Sequence, residues 1–189
     1  MFVINLPERT DRLAHFKEQI KYLGVSARIV DGIRQNPSHK GIAQTHINCL
    51  MIAKQLELDD VLIMEDDIVF QGKEKTKDHY FECMQHAPND WDILLGGVYM
   101  DKGIKKINEW WSEIGDFSGL HFYMVNSKAY DRIIDGYDNT MHIDRWMGQN
   151  KDLKKYVMNT FIATQMNGLS DNTGKKENYD RLLKKYKLL

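Results

Sequence analysis

Cysteine is scarce in this sequence, no stretch is long and apolar, and neither sign of charge dominates. Two cysteines, Cys49 and Cys83, cannot build a disulfide framework and fit a reducing compartment. With no cysteine pair near histidines, a structural zinc site is not expected. No apolar run approaches the roughly 18 to 20 residues of a membrane span. Met1 to Leu6 lacks the basic head and long apolar stretch of a signal peptide, so the expected location is the cytoplasm or the cytoplasmic face of a membrane. A formal net charge of -1 gives no reason to expect nucleic acid as a main partner. What is present is an ordinary soluble balance, 42% hydrophobic and 28% charged, in 189 residues, enough for one compact core.

Strand and helix patterns alternate from the start. Phe2-Val3-Ile4 is a short run of strand formers closed by a turn at Leu6-Pro7. Thr10 caps a predicted helix in which Leu13, Phe16, Ile20 and Leu23 share one face, and Gly24 stops it. Ala27 to Val30 reads as a second strand, and a polar loop from Arg34 to Gly41 precedes a helix over about Ile42 to Leu56. Val61 to Met64 is continuously apolar, as in a strand buried on both faces. Another helix follows, then a strand from Asp92 to Leu95, a long loop, a strand from His121 to Val125 and a helix from Ser127 to Ile134. The alternation predicts a single α/β domain with a mostly parallel central sheet flanked by helices. The segment from Gly96 to Gly119 carries Trp110-Trp111 and reads either as an exposed hairpin or as a substrate lid.

Glu65-Asp66-Asp67 directly follows the buried strand, at the end where open parallel sheets bind ligands. Three adjacent carboxylates repel one another and are costly to desolvate, and a hard divalent cation with oxygen ligands relieves both costs. An extended backbone would put Glu65 and Asp67 on one face and Asp66 on the other. The plainer reading is a solvated acidic turn.

The order of several segments resembles glycosyltransferase family 25, which includes lipopolysaccharide, lipooligosaccharide and procollagen sugar transferases. The likeness runs through Val3 to Leu6 with Arg9, Asp11 and Arg12, then Asp31-Gly32, and Gly41 to His46. It continues through Val61 to Phe70, Trp91 to Gly96, Gly119 to Tyr123 with Ala129, His142 to Asp144, and Gln165 with Ser170-Asp171. Thr45-His46 stands where the family has Ser-His, and Asn172 where an aliphatic residue is common.

That resemblance implies a GT-A fold, a UDP-sugar donor, a glycan or glycoconjugate acceptor, and Mn²⁺ with Mg²⁺ as the substitute. By the same analogy Asp67 ligates the metal, with Glu65 as a further ligand or toward the ribose and Asp66 nearby. Asn5, Arg9 and Arg12 follow the first strand, where a guanidinium can pair with phosphate; Arg9 and Arg12 can equally pair with Glu8 and Asp11 on a helix surface. His46 and His121 are candidates for donor contact, although a histidine on an apolar face is commonly a core residue. His142 is expected to shape the site. The family is considered inverting, which assigns Asp144 as general base; the alternative is a helix-terminal carboxylate held by the dipole. Trp110-Trp111 is a candidate sugar platform, and Trp91 reads as core. The rival functions are a relative that has lost turnover and acts as an interaction module, and another metal-dependent nucleotide-processing enzyme. The latter is expected to show a phosphate-binding loop, which does not follow the first strand.

Residues 1–174 are thus expected to form the domain, and residues 175–189 a basic amphipathic helix or tail. Leu182, Leu183, Tyr186 and Leu189 fall on one face of that helix. The face suits docking on an anionic membrane surface or packing on the protein's own core.

Overall fold

The computed structural model describes residues 1–189, the side chain of Leu182 excepted. Its elements, in chain order, are β1 (Phe2–Asn5), α1 (Thr10–Gln19), β2 (Arg28–Asp31), α2 (Ser38–Gln55), β3 (Asp60–Glu65), β4 (Ile68–Phe70), α3 (Thr76–Gln85) and β5 (Ile93–Leu95). Then come β6 (Met100–Lys102), β7 (Lys105–Lys106), β8 (Trp111–Glu113), β9 (Asp116–Ser118), β10 (Phe122–Asn126), α4 (Tyr130–Ile134) and α5 (Ile143–Gln149). The chain closes with β11 (Lys155–Met158), β12 (Ala163–Gln165), β13 (Gly168–Leu169), β14 (Lys176–Glu177) and α6 (Tyr179–Leu183).

Eight strands form the central sheet in the order β2-β1-β3-β10-β5-β11-β8-β7. Strands β2, β1, β3, β5, β11 and β7 run one way, while β10 and β8 run against them. The period-2 alternation of strand side chains builds the layers. Phe2, Val61, Ile63, Ile93, Leu95, Tyr123 and Val125 are buried on one face with Leu50 of α2, Ile133 of α4 and Met147 of α5. Val3, Leu62, Met64, Leu94, Phe122 and Met124 are buried on the other with Phe16 of α1 and Tyr80 and Cys83 of α3. Burial on both faces is why β3 is apolar throughout.

Three expectations change. Helix α2 begins at Ser38, not near Ile42, because Pro37 in extended conformation launches it and its polar first turn faces a cavity. Gly41 lies inside that turn, where a Cβ would sit 2.1 Å from the Ile33 carbonyl oxygen, so the helix packs tightly on the loop after β2. The stretch from Gly96 to Gly119 is strand-rich: β6 pairs with β9, and β7 and β8 extend the central sheet. Trp111 is buried there, with its indole N–H donating to the Cys83 carbonyl at 2.8 Å.

The tail is not one amphipathic helix. Strand β14 pairs with β13, only Tyr179–Leu183 is helical, and the end runs beside Phe161. Leu183 is buried, Tyr186 stacks on Phe161 with centroids 4.4 Å apart, and Leu189 donates its N–H to the Phe161 carbonyl at 3.0 Å. The apolar side of the tail therefore packs on the protein's own core; the expectation for Leu182 lies outside the described side chains. Among the described residues no helix is long and apolar enough to cross a membrane.

Candidate active site

The carboxyl ends of β1, β2 and β3 open into a cavity of about 360 Å³, within the range of small-molecule sites. Strand β3 ends at Glu65 and the chain turns through Asp66 and Asp67 before β4, so the extended-strand alternation does not hold and all three carboxylates line the cavity. Each has a different support. The Asn5 amide donates to Asp66 at 2.7 Å and to the Arg9 carbonyl at 3.1 Å, tying the acidic turn to the start of α1. Arg12 reaches Asp67 at 3.0 Å and Asp66 at 3.4 Å. The Gln165 amide of β12 donates to Asp67 at 2.8 Å and also to Glu65, while its oxygen accepts from the Tyr99 hydroxyl at 2.5 Å. His46 of α2 places Nε2 3.5 Å from Glu65, with Nδ1 2.7 Å from the Tyr123 hydroxyl.

Asp66 and Asp67 thus share one guanidinium, and Glu65 contacts none. Burial and the Glu65 charge push the Asp67 carboxyl up to about 7, against the opposing pull of Arg12 and Gln165. Burial also raises Asp66, opposed by Asn5 and Arg12. At Glu65 burial acts upward too, but the hydrogen bond and charge of His46, with His121 and Arg12, bring the group below its usual value. The acidic cluster is therefore short of positive charge at neutral pH.

Asp144 enters the same cavity from the first turn of α5. One carboxylate oxygen accepts the Gly119 N–H at 3.0 Å and the other the Arg145 N–H at 2.8 Å. Gly119 has φ +104, and a Cβ there would meet the Tyr99 ring at 2.9 Å, so only glycine allows this approach. His142 also lines the cavity, its ring 4.9 Å from that of His39.

Of the residues singled out from the sequence, Arg12, His46, Glu65, Asp66, Asp67 and Asp144 come together in the cavity wall. Asn5, Arg9 and His121 do not line it. Asn5 is a buried support for Asp66, and Arg9 brackets Asp11 and Asp171. His121 is fully buried, its Nε2 3.0 Å from the Ala163 carbonyl, and burial lowers its pKa toward the neutral form. Trp110 stacks on His86 beside α3 and Trp111 is core, so neither reaches the cavity, and Trp91 packs against the core. Arg34, Tyr99 and Tyr179, which the sequence did not single out, line the cavity; Tyr179 stacks on Tyr99 at 4.7 Å from within the supposed tail. Arg34 lies just beyond the end of β2, and that position was the one signal available for it.

Among the described residues no three His, Cys, Asp or Glu side chains converge as a ready-made metal cluster. The donor set nevertheless suits a hard cation. Glu65 and Asp67 both turn an oxygen to the same Gln165 nitrogen, a convergence of oxygen donors with excess negative charge. Mg²⁺-type sites commonly use one or two carboxylates and draw the remaining ligands from substrate phosphates.

No protein-family model matches the chain, and no curated protein matches it in sequence. Among solved structures it is similar to A197 from STIV, with a TM-score of 0.51 and 13% identity over 94% of this chain and 92% of that one. It is also similar to a Drosophila β1,4-galactosyltransferase 7 variant in complex with manganese, UDP-Gal and xylobiose. There the TM-score is 0.51 and the identity 10%, over 98% of this chain and 79% of that one. At such identities the likeness is one of fold: the chain is a GT-A-like mixed α/β domain.

Proposed function

We propose that the chain is a metal-dependent glycosyltransferase of the family 25 type, moving a hexose from a UDP-sugar to a hydroxyl of a glycan or glycoconjugate. The observation that carries this reading is the cavity at the strand ends, where Asp66 and Asp67 meet Arg12, Glu65 stands beside them, and the Asp144 carboxylate lines the same space. Asp67 and Glu65 would hold a divalent cation, Mn²⁺ or Mg²⁺, whose Lewis acidity stabilises the departing nucleoside diphosphate. Asn5 and Gln165 fix the carboxylates so that no reorganisation is needed when charge develops. Arg12 adds a guanidinium for the phosphates. Asp144, held by the Gly119 and Arg145 N–H groups, keeps free lone pairs on its carboxylate and takes the proton from the acceptor hydroxyl.

The fold also suits enzymes that make nucleotide sugars, but the chain carries no glycine-rich phosphate loop after β1, where Leu6-Pro7-Glu8 stands instead. A panel of UDP-, GDP- and CMP-sugars with Mn²⁺, scored by nucleotide release, tests the reading. Release from a UDP-hexose supports it, and release from none of the panel with a folded protein removes it.

A further inference from the structure

Arg145 follows Asp144 in α5 but does not line the cavity; its guanidinium closes on β9 instead. One nitrogen donates to the Phe117 carbonyl at 2.9 Å and another to Asp116 at 2.7 Å. The second Asp116 oxygen is buried without a hydrogen-bond partner among the described residues, so this carboxylate is held by Arg145 alone. Gly148 lies three residues further along the helix. A Cβ there would stand 2.6 Å from the Phe117 carbonyl oxygen and 2.7 Å from its nitrogen, so α5 lies flat against β9 where only glycine fits.

Lys155, the first residue of β11, secures the other end of the helix. It is buried, and its Nζ donates to the carbonyls of Asn150 at 2.6 Å, Gly148 at 2.8 Å and Met147 at 3.4 Å. Carbonyls at a helix C-terminus lack intrahelical partners, and a cation suits that end of the dipole. Three acceptors match the three N–H groups of an ammonium. Burial lowers the Lys155 pKa from its usual value, and the charges of Asp116 and Glu113 oppose that shift. Like Arg145, Lys155 does not line the cavity. Two cations are thus spent on the two ends of a seven-residue helix, and neither is placed to meet a ligand.

What they hold in register is the Asp144 carboxylate. Strand β9 runs directly into Gly119, whose N–H donates to Asp144 at 3.0 Å, so that contact crosses the same seam between α5 and β9. We propose that Arg145 and Lys155 are positioning residues for Asp144, fastening α5 to β9 and β11 so that its carboxylate stays on the Gly119 N–H. A shift of about 1 Å at a reacting group can cost on the order of 10²-fold in rate, so the seam also governs turnover. That consequence rests on the glycosyltransferase reading with Asp144 as base; the positioning itself does not.

Amide hydrogen exchange at Gly119, followed by NMR on the full chain without metal or substrate, reads the seam in the wild type, Arg145→Gln and Lys155→Met. In both variants exchange at Gly119 is expected to rise on the order of tenfold relative to exchange at the buried Ile63 of β3, because the seam opens locally. A general loss of stability would speed Ile63 at least as much. That outcome, or an unchanged ratio, overturns the proposal. Arg145→Gln carries the test if Lys155→Met, which leaves three carbonyls unpaired, fails to fold. Steady-state kinetics on a UDP-hexose reads the consequence, a kcat lower by about 10- to 100-fold with UDP affinity nearly unchanged. If the ratio rises while the kcat of an active enzyme holds, the claim on turnover is overturned. If the ratio rises and the wild type turns over no nucleotide sugar, the positioning stands and the glycosyltransferase reading falls.

Discussion

Replacing Asp67 by asparagine is expected to stabilise the protein at pH 8 in the absence of divalent cations. Asp67 is 5% exposed, and its carboxyl is pushed up to about 7 from an ordinary 3.8. Because the folded value is raised, the native state binds more protons than the unfolded one between those limits. The charge costs the fold nothing well below pH 3.8, costs more as pH rises, and reaches its full cost above about 7. The interval spans roughly three decades of proton affinity, so at ~1.36 kcal/mol per decade the ionised form costs about 4 kcal/mol. The substituted amide cannot accept from Arg12 and Gln165 as well as a carboxylate does, which returns about 1 kcal/mol. A net gain of about 2 to 3 kcal/mol at pH 8 follows, falling by about half at pH 5.5. Urea unfolding with chelator present reads it as a higher midpoint at constant m-value. A loss of more than about 1 kcal/mol at pH 8, or a gain that does not change with pH, would mean that the buried Asp67 charge does not destabilise the fold.

Asp144→Asn is expected to lower kcat by about 10²- to 10⁴-fold with donor affinity nearly unchanged, read by steady-state kinetics alongside UDP titration. Full turnover with about 1 kcal/mol or less of lost stability would make Asp144 only a helix-end carboxylate. Trp111→Ala should cost about 3 to 5 kcal/mol in denaturant melts, whereas Trp110→Ala should leave donor and acceptor KM unchanged because Trp110 packs beside α3. Leu183→Ala should cost about 2 to 5 kcal/mol, and the wild-type protein should not co-sediment with anionic liposomes through its tail.

The parts of the fold that could be read ahead of the structure are those whose own residues decide them. Val61 to Met64 is apolar at every position because both faces of β3 are covered, and the spacing of Leu13 and Phe16 marks α1. The stretch from Gly96 to Gly119 hid its strands because β6 to β9 are only two or three residues long, too short for a period-2 pattern, and β6, β7 and β9 carry Asp or Lys. The tail was ambiguous for a different reason: an amphipathic pattern is the same for a membrane and for a neighbouring core. Phe161, far away in sequence, is the residue that Tyr186 packs on. At the site, the acidic turn could be read from its place after a buried strand. Tyr99 and Tyr179 could not be placed, because they reach the cavity through tertiary packing that leaves no local pattern, and Arg34 had only its position after β2 to mark it.

In the proposed reaction the Glu65-Asp67 turn holds a cation needed for transfer from a UDP-sugar. The most direct test is the rate of UDP release from the active donor with excess chelator, and again after Mn²⁺ is restored, in the wild type and in Asp67→Asn. Chelator is expected to abolish release and Mn²⁺ to restore it in the wild type, while the Asp67→Asn protein stays folded and inactive in both conditions. Full wild-type release in chelator, or full release by Asp67→Asn, would contradict that role for the cation.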